Sequence, residues 1–254
     1  MSSKKLTVVI IAKNEESMLA DCLDSVKFAD SILVIDNDST DETARIAKDK
    51  GAKVITSPSK SFAQLREVAL TKVASGYILY IDADERVSQA LSSEIQQALA
   101  SESTKNAYRL RRQNYYLGTS PWPTVETLER LFKKSALLGW EGDLHETAKI
   151  KGDIGQLESP LIHYTHRDFS SMVEKTNAWS ETEARLRFDA SHPKVVPWRL
   201  FRVMVTAFID SYIKQQGWKV GTTGLLESMY QAFSIFITYA KLWEMQTSNI
   251  KKKY

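Results

Sequence analysis

The sequence predicts an α/β fold: a mostly parallel sheet with flanking helices, followed by C-terminal amphipathic helices. Three observations predict it. From residue 6 to about 105, short and nearly unbroken apolar runs alternate with segments of helical period. Strands buried on both faces read this way because helices cover each side of a parallel sheet. Finally, polar and acid-rich turns follow the apolar runs, where such sheets bind ligands beyond the carboxyl ends of their strands.

The elements follow in order. "LTVVII" is a first buried strand, and Met18, Leu19, Cys22, Leu23 and Val26 then recur at helical spacing. "SILVIDN" is a second strand. In "STDETARIAKDKG" a helix follows, with Ser39 and Glu42 at capping-box spacing and Gly51 at its C-terminus. "AKVITS" is a third strand. "SFAQLREVALTKVASG" is a helix with Phe62, Leu65, Val68, Ala69 and Val73 inward and Gly76 as its stop. "YILYID" is a fourth strand, and "SQALSSEIQQALAS" a helix with Leu91, Ile95 and Leu99 on one face. After residue 105 shorter strands of mixed direction are expected in "NAYRLRRQNYYLG", "TLERLFKK", "HETAKI" and "SPLIHYTH". Residues 169–190 form an amphipathic helix, and two apolar helices follow over roughly 198–216 and 222–245.

Bulk properties set limits. With 254 residues, 43% hydrophobic and 26% charged, the chain is globular and long enough for a sizeable core. Cys22 is the single cysteine, which excludes an intramolecular disulfide and suits a reducing compartment. The opening "MSSKKLTVVIIAKNEE" sets basic residues before an apolar stretch, but that stretch is too short for a secretion signal and reads as a strand. From Pro193 onward nine Lys/Arg and three Asp/Glu give +6, whereas the preceding 192 residues carry −3. A mildly acidic body thus bears a basic, aromatic tail, which points to an anionic surface as partner. The longest uncharged stretch in the last helix runs from Ser228 to Ala240, shorter than the roughly 20 residues of a membrane span. Aromatics mixed with Arg199, Arg202, Lys214 and Lys219 suit helices lying in a membrane interface, or packed on their own domain or on a second copy of the chain. No nucleic-acid-binding motif is present.

The chemistry concentrates at "YILYIDADERV". Asp82 and Asp84 lie two apart behind a buried strand, where an extended chain turns both toward one hard cation. Mg²⁺ or Mn²⁺ there would stabilise charge on a departing diphosphate. Asp36 ends the neighbouring strand. Glu85 serves either this cluster or the cap of the next helix.

In order and spacing, "TVVIIAKNEE", "ILVIDNDSTDET", "FAQLRE" and "YILYIDADERV" resemble the family 2 glycosyltransferases of GT-A (Rossmann-like) fold. The later "ERLFKK", "GDLHE", "LIHYTHRD" and the C-terminal "YIKQQGWKVGTTGLLESMYQAFSIFITYAKLWE" are similar to lipopolysaccharide-core glucosyltransferases that act on a heptose. The resemblance implies a nucleotide-sugar pocket lined by Ala12, Asn14, Glu15, Asp36 and Asp38, with Asp36 accepting from the base, commonly uracil. It implies Arg66 near the diphosphate, Asp82 on the ribose or the metal, and Asp84 on the metal. His163 is the expected third ligand, with His166 close behind it. The base that deprotonates the acceptor hydroxyl is expected at Glu146, with Asp143 as runner-up, and His145 adjoins it. His192 is expected to be a turn residue. Leu65-Arg66-Glu67 departs from the usual Gln-Arg-Asn, and Leu144 from valine. No Gln-x-x-Arg-Trp pattern of processive synthases is present.

The expected organisation is a catalytic domain over 1–167, with a nucleotide-binding half 1–105 and an acceptor half 106–167, and a helical region 168–254 that serves a membrane interface or dimerisation. The implied activity is inverting, metal-dependent and non-processive hexosyl transfer, with UDP-glucose as the usual donor and a glycolipid or lipopolysaccharide-core acceptor, on the inner face of the cell membrane. Two other classes share acidic strand ends: another Mg²⁺-dependent nucleotide-using enzyme and a non-catalytic nucleotide-binding module. The first would want a Gly-x-x-x-x-Gly-Lys loop, which the chain lacks.

Overall fold

The computed structural model describes residues 4–59, 61–117, 120–141 and 147–251. It divides into two compact units: one runs up to Gln113 and takes in Val125–His163, the other comprises Asn114–Thr124 and the chain from Tyr164 onward.

The first unit holds the expected alternation. Strands β1 (Leu6–Ala12), β2 (Ser31–Asp36), β3 (Lys53–Thr56) and β4 (Tyr77–Asp82) are separated by helices α1 (Glu16–Ser25), α2 (Thr43–Asp49) and α3 (Phe62–Lys72). All four strands are parallel, in the order β3-β2-β1-β4. Successive residues of β1 face opposite layers. Val8, Ile10 and Ala12 pack with α1 residues Leu19, Cys22 and Leu23 and with Leu91, Ile95 and Leu99 of α4 (Gln89–Ala100). Val9 and Ile11 pack with Leu65, Ala69 and Leu70 of α3. Double burial is why the strands read as continuous apolar runs.

Beyond β4 the sheet continues with β7 (Ser120–Lys133), β6 (Ala107–Tyr116), β10 (Ile154–Thr165) and β5 (Glu85–Val87), giving the order β3-β2-β1-β4-β7-β6-β10-β5. β7 is antiparallel to β4, and β10 is antiparallel to β5. β8 (Leu137–Glu141) and β9 (Thr147–Ile150) form a separate antiparallel pair. β7 starts earlier than the sequence suggested and runs through Pro121 and Pro123. The short β5 and β8 were not anticipated.

Two local expectations need correction. Ser39 does not cap α2; its hydroxyl accepts from the Asn14 amide, and Asp41 instead accepts from the Thr43 amide. Gly51 does terminate α2, at φ +81°. Its amide donates to Lys48 O, and that of Ala52 to Ala47 O. Gly76 is not the stop of α3, which ends at Lys72 with Val73 already extended. At φ +90° it leads into β4, and a Cβ there would lie 2.3 Å from the Lys5 carbonyl oxygen.

The second unit is mainly helical: α5 (Phe169–Asp189), α6 (Pro197–Ile209), a π-turn (Asp210–Lys214), a short 3-10 segment (Gly217–Val220) and α7 (Gly221–Lys251). Pro197 sits in the first turn of α6, where its missing amide costs nothing. The helix expected over 198–216 is broken by the π-turn, in which the Gln215 amide donates to Asp210 O. Gly217 and Gly224 let the chain cross itself, since a Cβ on Gly224 would stand 1.8 Å from the Gly217 carbonyl oxygen. His192 is more than a turn residue: its ring meets Tyr239 edge-on at 5.5 Å between centroids. Among the described residues, no helix is long and apolar enough to cross a membrane.

Gly76→Ala combines backbone strain with a main-chain clash. It should lower stability by about 2 kcal/mol or more in urea unfolding, whereas Gly51→Ala, with open space around it, should cost only about 1 kcal/mol.

Candidate functional site

The carboxyl ends of β1, β2 and β4 share one rim because the three strands are parallel and in register, with Ala12 beside Asp36 and Ile11 beside Asp82. The turns beyond them are knitted together. Asn14 takes φ +53°, which asparagine tolerates. Its amide donates to Ser39 Oγ at 3.0 Å, and its Oδ1 accepts from the Thr40 amide at 2.8 Å. The Glu15 amide donates to Thr43 Oγ1 at 2.8 Å. Asp36 is buried, with Oδ1 accepting from the Ser39 amide and Oδ2 facing the Thr56 hydroxyl. Asp38, at φ +58°, stands exposed beside it.

At the end of β4 the chain does not stay extended, as the reading of Asp82 and Asp84 assumed. It turns at Ala83–Asp84 and re-enters the sheet as β5, so the two aspartates part company. Asp82 Oδ2 accepts from Arg130 Nη2 at 2.9 Å, and Arg66 Nη2 stands 3.7 Å from Oδ1. Asp84 Oδ2 instead faces His163 Nε2 at 3.5 Å, because β10 lays His163 opposite Glu85. Of the three expected metal ligands, Asp84 and His163 face each other, while Asp82 pairs with Arg130 and has the His163 imidazole near enough to act on its charge. Among the described residues, no three His, Cys, Asp or Glu side chains converge as a metal site.

Glu85 caps nothing; Ser88 accepts from the Leu91 amide and caps α4. Glu85 is fully buried, accepting from the Asp82 amide at 2.9 Å through Oε2 and from Arg112 Nη1 at 3.2 Å through Oε1. Arg130 Nη2 bridges to the same Oε1 at 3.4 Å, and Arg112 also pairs with Glu126. Burial works to raise the Asp82 carboxyl pKa, but Arg130, Arg66 and Arg112 outweigh it and hold the group well below the usual carboxylate range. Arg66 is buried rather than extended to solvent, its guanidinium 4.7 Å from the Trp140 ring centroid. The neighbouring Glu67 accepts from the Trp140 amide at 2.7 Å, so the departure at Leu65-Arg66-Glu67 anchors β8.

Arg112 and Arg130 were missed as site residues. The signal for Arg130 was an arginine set against Leu131 and Phe132 in a strand, where a buried cation demands buried anions. Two guanidiniums flank Asp82. At an effective dielectric of 20, a divalent cation about 5 Å from a guanidinium is repelled by roughly 7 kcal/mol. An imidazole faces Asp84. A carboxylate and an imidazole suit Mn²⁺ or a similar ion, with coordination left for water and phosphate oxygens. Glu146 and Asp143 lie outside the described residues. His166 belongs to the second unit, where its Nδ1 sits 3.0 Å from both oxygens of the buried Glu227.

Residues 7–151 match the glycosyl transferase family 2 model. The chain belongs to that family. This glycosyltransferase is 31% identical to an uncharacterized glycosyltransferase of Rickettsia typhi, over 95% of this chain and 88% of the relative. It is 25% identical to the lipopolysaccharide core biosynthesis glycosyltransferase LpsC of Rhizobium meliloti, over 94% of this chain and 92% of that one. Among solved structures, glucosyl-3-phosphoglycerate synthase from Mycobacterium tuberculosis with Mn²⁺, UDP and glucosyl-3-phosphoglycerate superposes at a TM-score of 0.39, with 18% identity, over 53% of this chain and 58% of its own.

Asp82→Asn should destabilise the enzyme by roughly 2 kcal/mol at neutral pH. Because the native pKa is depressed, the wild-type advantage should be complete above about pH 4. It should shrink as pH falls through the lowered value, as urea unfolding across pH would show.

Proposed function

We propose that this glycosyltransferase moves one sugar per encounter, with inversion, from a UDP-sugar such as UDP-glucose to a glycolipid or lipopolysaccharide-core acceptor, with Mg²⁺ or Mn²⁺. The observation that carries the reading is the pairing of Asp84 with His163 at the rim where Asp36 and Asp82 also end their strands. The name of the Rhizobium meliloti relative supports the acceptor class.

Ala12, Asn14 and Glu15 form the floor of the nucleotide pocket, and the buried Asp36 accepts from the base beside Asp38. Asp82, ionised and acceptor-only, takes the ribose hydroxyls. Asp84 and His163 would hold the cation, which would supply positive charge against the leaving diphosphate. Arg66 adds positive potential from below. Glu146, or Asp143 in its place, takes the proton of the acceptor hydroxyl as that oxygen attacks the sugar from the face opposite the diphosphate. Mn²⁺-dependent turnover of UDP-glucose with acceptor extracts should fall about 100-fold or more in Asp84→Ala and in Glu146→Gln. UDP binding should survive in Glu146→Gln, by calorimetry. Full activity in Asp84→Ala would remove the metal reading.

Glycolipid acceptors place the enzyme at the inner membrane face, and the helical unit supports this. Of the large hydrophobic side chains exposed among the described residues, sixteen lie between Phe169 and Trp243 and three in the strand-rich unit. Trp198, Phe201, Val205, Ile209 and Ile213 line one side of α6 and the π-turn, with Arg199, Arg202 and Lys214 alongside. Trp198→Ser/Phe201→Ser should reduce sedimentation with phosphatidylserine vesicles at least threefold while leaving activity on soluble acceptor unchanged. Unaltered sedimentation with a concentration-dependent dimer would assign the face to a second copy.

A further inference from the structure

We propose that Arg130 is a positioning residue: it aims the Asp82 carboxylate at the ribose diol of the donor and so sets selectivity for ribonucleotides. The inference rests on the UDP-sugar reading above and assigns a role to a residue outside the pocket itself.

The geometry fixes Asp82 twice. Its amide is held by Glu85 Oε2 at 2.9 Å, and its Oδ2 by Arg130 Nη2 at 2.9 Å. Both holds meet in one place, because Arg130 Nη2 also reaches Glu85 Oε1 at 3.4 Å. Glu85 is in turn fastened by Arg112, which is fastened by Glu126. Side-chain exposure falls in layers: 29% for Asp82, 6% for Arg130 and Arg66, and none for Glu85. The carboxylate is thus the top of a charged stack, with its cationic supports beneath it and its open side toward the rim. An ionised carboxylate accepts and cannot donate. With Oδ2 bonded to one guanidinium and Oδ1 3.7 Å from another, the lone pairs that remain make an oriented acceptor for neutral donors, and vicinal hydroxyls match it. A second cation there would meet both guanidiniums. A site built to bind hydroxyls rejects a ligand that lacks them far more strongly than an apolar pocket rejects a missing methylene.

The test is calorimetric titration of the full-length protein with UDP and with 2′,3′-dideoxy-UDP, each in the presence of Mn²⁺. Wild type should bind the dideoxy ligand about 30-fold more weakly than UDP. In Arg130→Lys, which keeps the charge but loses the rigid planar guanidinium that sets Nη2 between the two carboxylates, and in Arg130→Met, UDP affinity should fall to within about threefold of the dideoxy ligand, whose own affinity stays unchanged. Glu85→Gln, which weakens the support under Arg130, should give an intermediate ratio. Thermal melts identify which variants are folded, and Arg130→Lys decides the matter if Arg130→Met does not fold. Equal losses on both ligands, or an undiminished ratio in folded Arg130→Lys, would overturn the positioning role while leaving the UDP-sugar reading intact. Absence of UDP binding by wild type would overturn the UDP-sugar reading, and this inference with it.

Discussion

A half-buried carboxylate at the end of a central strand, Asp82, and a fully buried one just beyond it, Glu85, demand buried cations, and that demand organises the strand-rich unit. Asp82 and Glu85 lie close enough for Glu85 to bond the Asp82 amide, so their charges would repel strongly if left alone. Three arginines answer them, each from a different element: Arg66 from α3, Arg112 from β6 and Arg130 from β7. The parallel strand β4 supplies Asp82, the edge strand β5 supplies Glu85, and the antiparallel extension supplies two of the bases. Their pairing ties β7, beside β4, and β6, the next strand out, to the acids at the end of β4. Removing one member strands the other charges in a low-dielectric layer, which is costlier than losing a surface ion pair.

The fold was legible where local pattern decides it. β1, β2 and β4 are buried on both faces, so their apolar runs stand out, and Gly51 ends α2 because a positive φ is needed there. What could not be read was non-local. Arg130 lies 48 residues from Asp82 in sequence, and only the placement of β7 beside β4 brings the two together. Ser39 and Glu42 had the spacing of a capping box, yet the Ser39 hydroxyl serves Asn14 across the rim, 25 residues away. Asp82 and Asp84 were taken as neighbours on one face, an assumption that holds only for an extended chain. A two-residue turn was enough to send one to the arginines and the other to His163.

The helical unit shows a different economy. Its interior is fastened by polar pairs as well as apolar ones: His166 with Glu227, Ser211 with Ser228, and the Tyr230 hydroxyl donating to Met172 O at 2.6 Å. Its outer faces keep large apolar side chains in the open, far more than the strand-rich unit does. Basic residues stand among these tryptophans and phenylalanines, and the proposed membrane contact rests on that combination.

The single thiol of the chain sits directly under this machinery. Cys22 is fully buried between α1 and β4, with Sγ 3.5 Å from the Asp82 carbonyl oxygen, and burial pushes its pKa far up. A thiol so shielded stays un-ionised and out of reach of alkylating reagents while the layer is closed. Its labelling rate therefore clocks transient separation of helix from strand beneath Asp82. The molecule carries an internal stopwatch for its own breathing, with no second cysteine to confuse the signal.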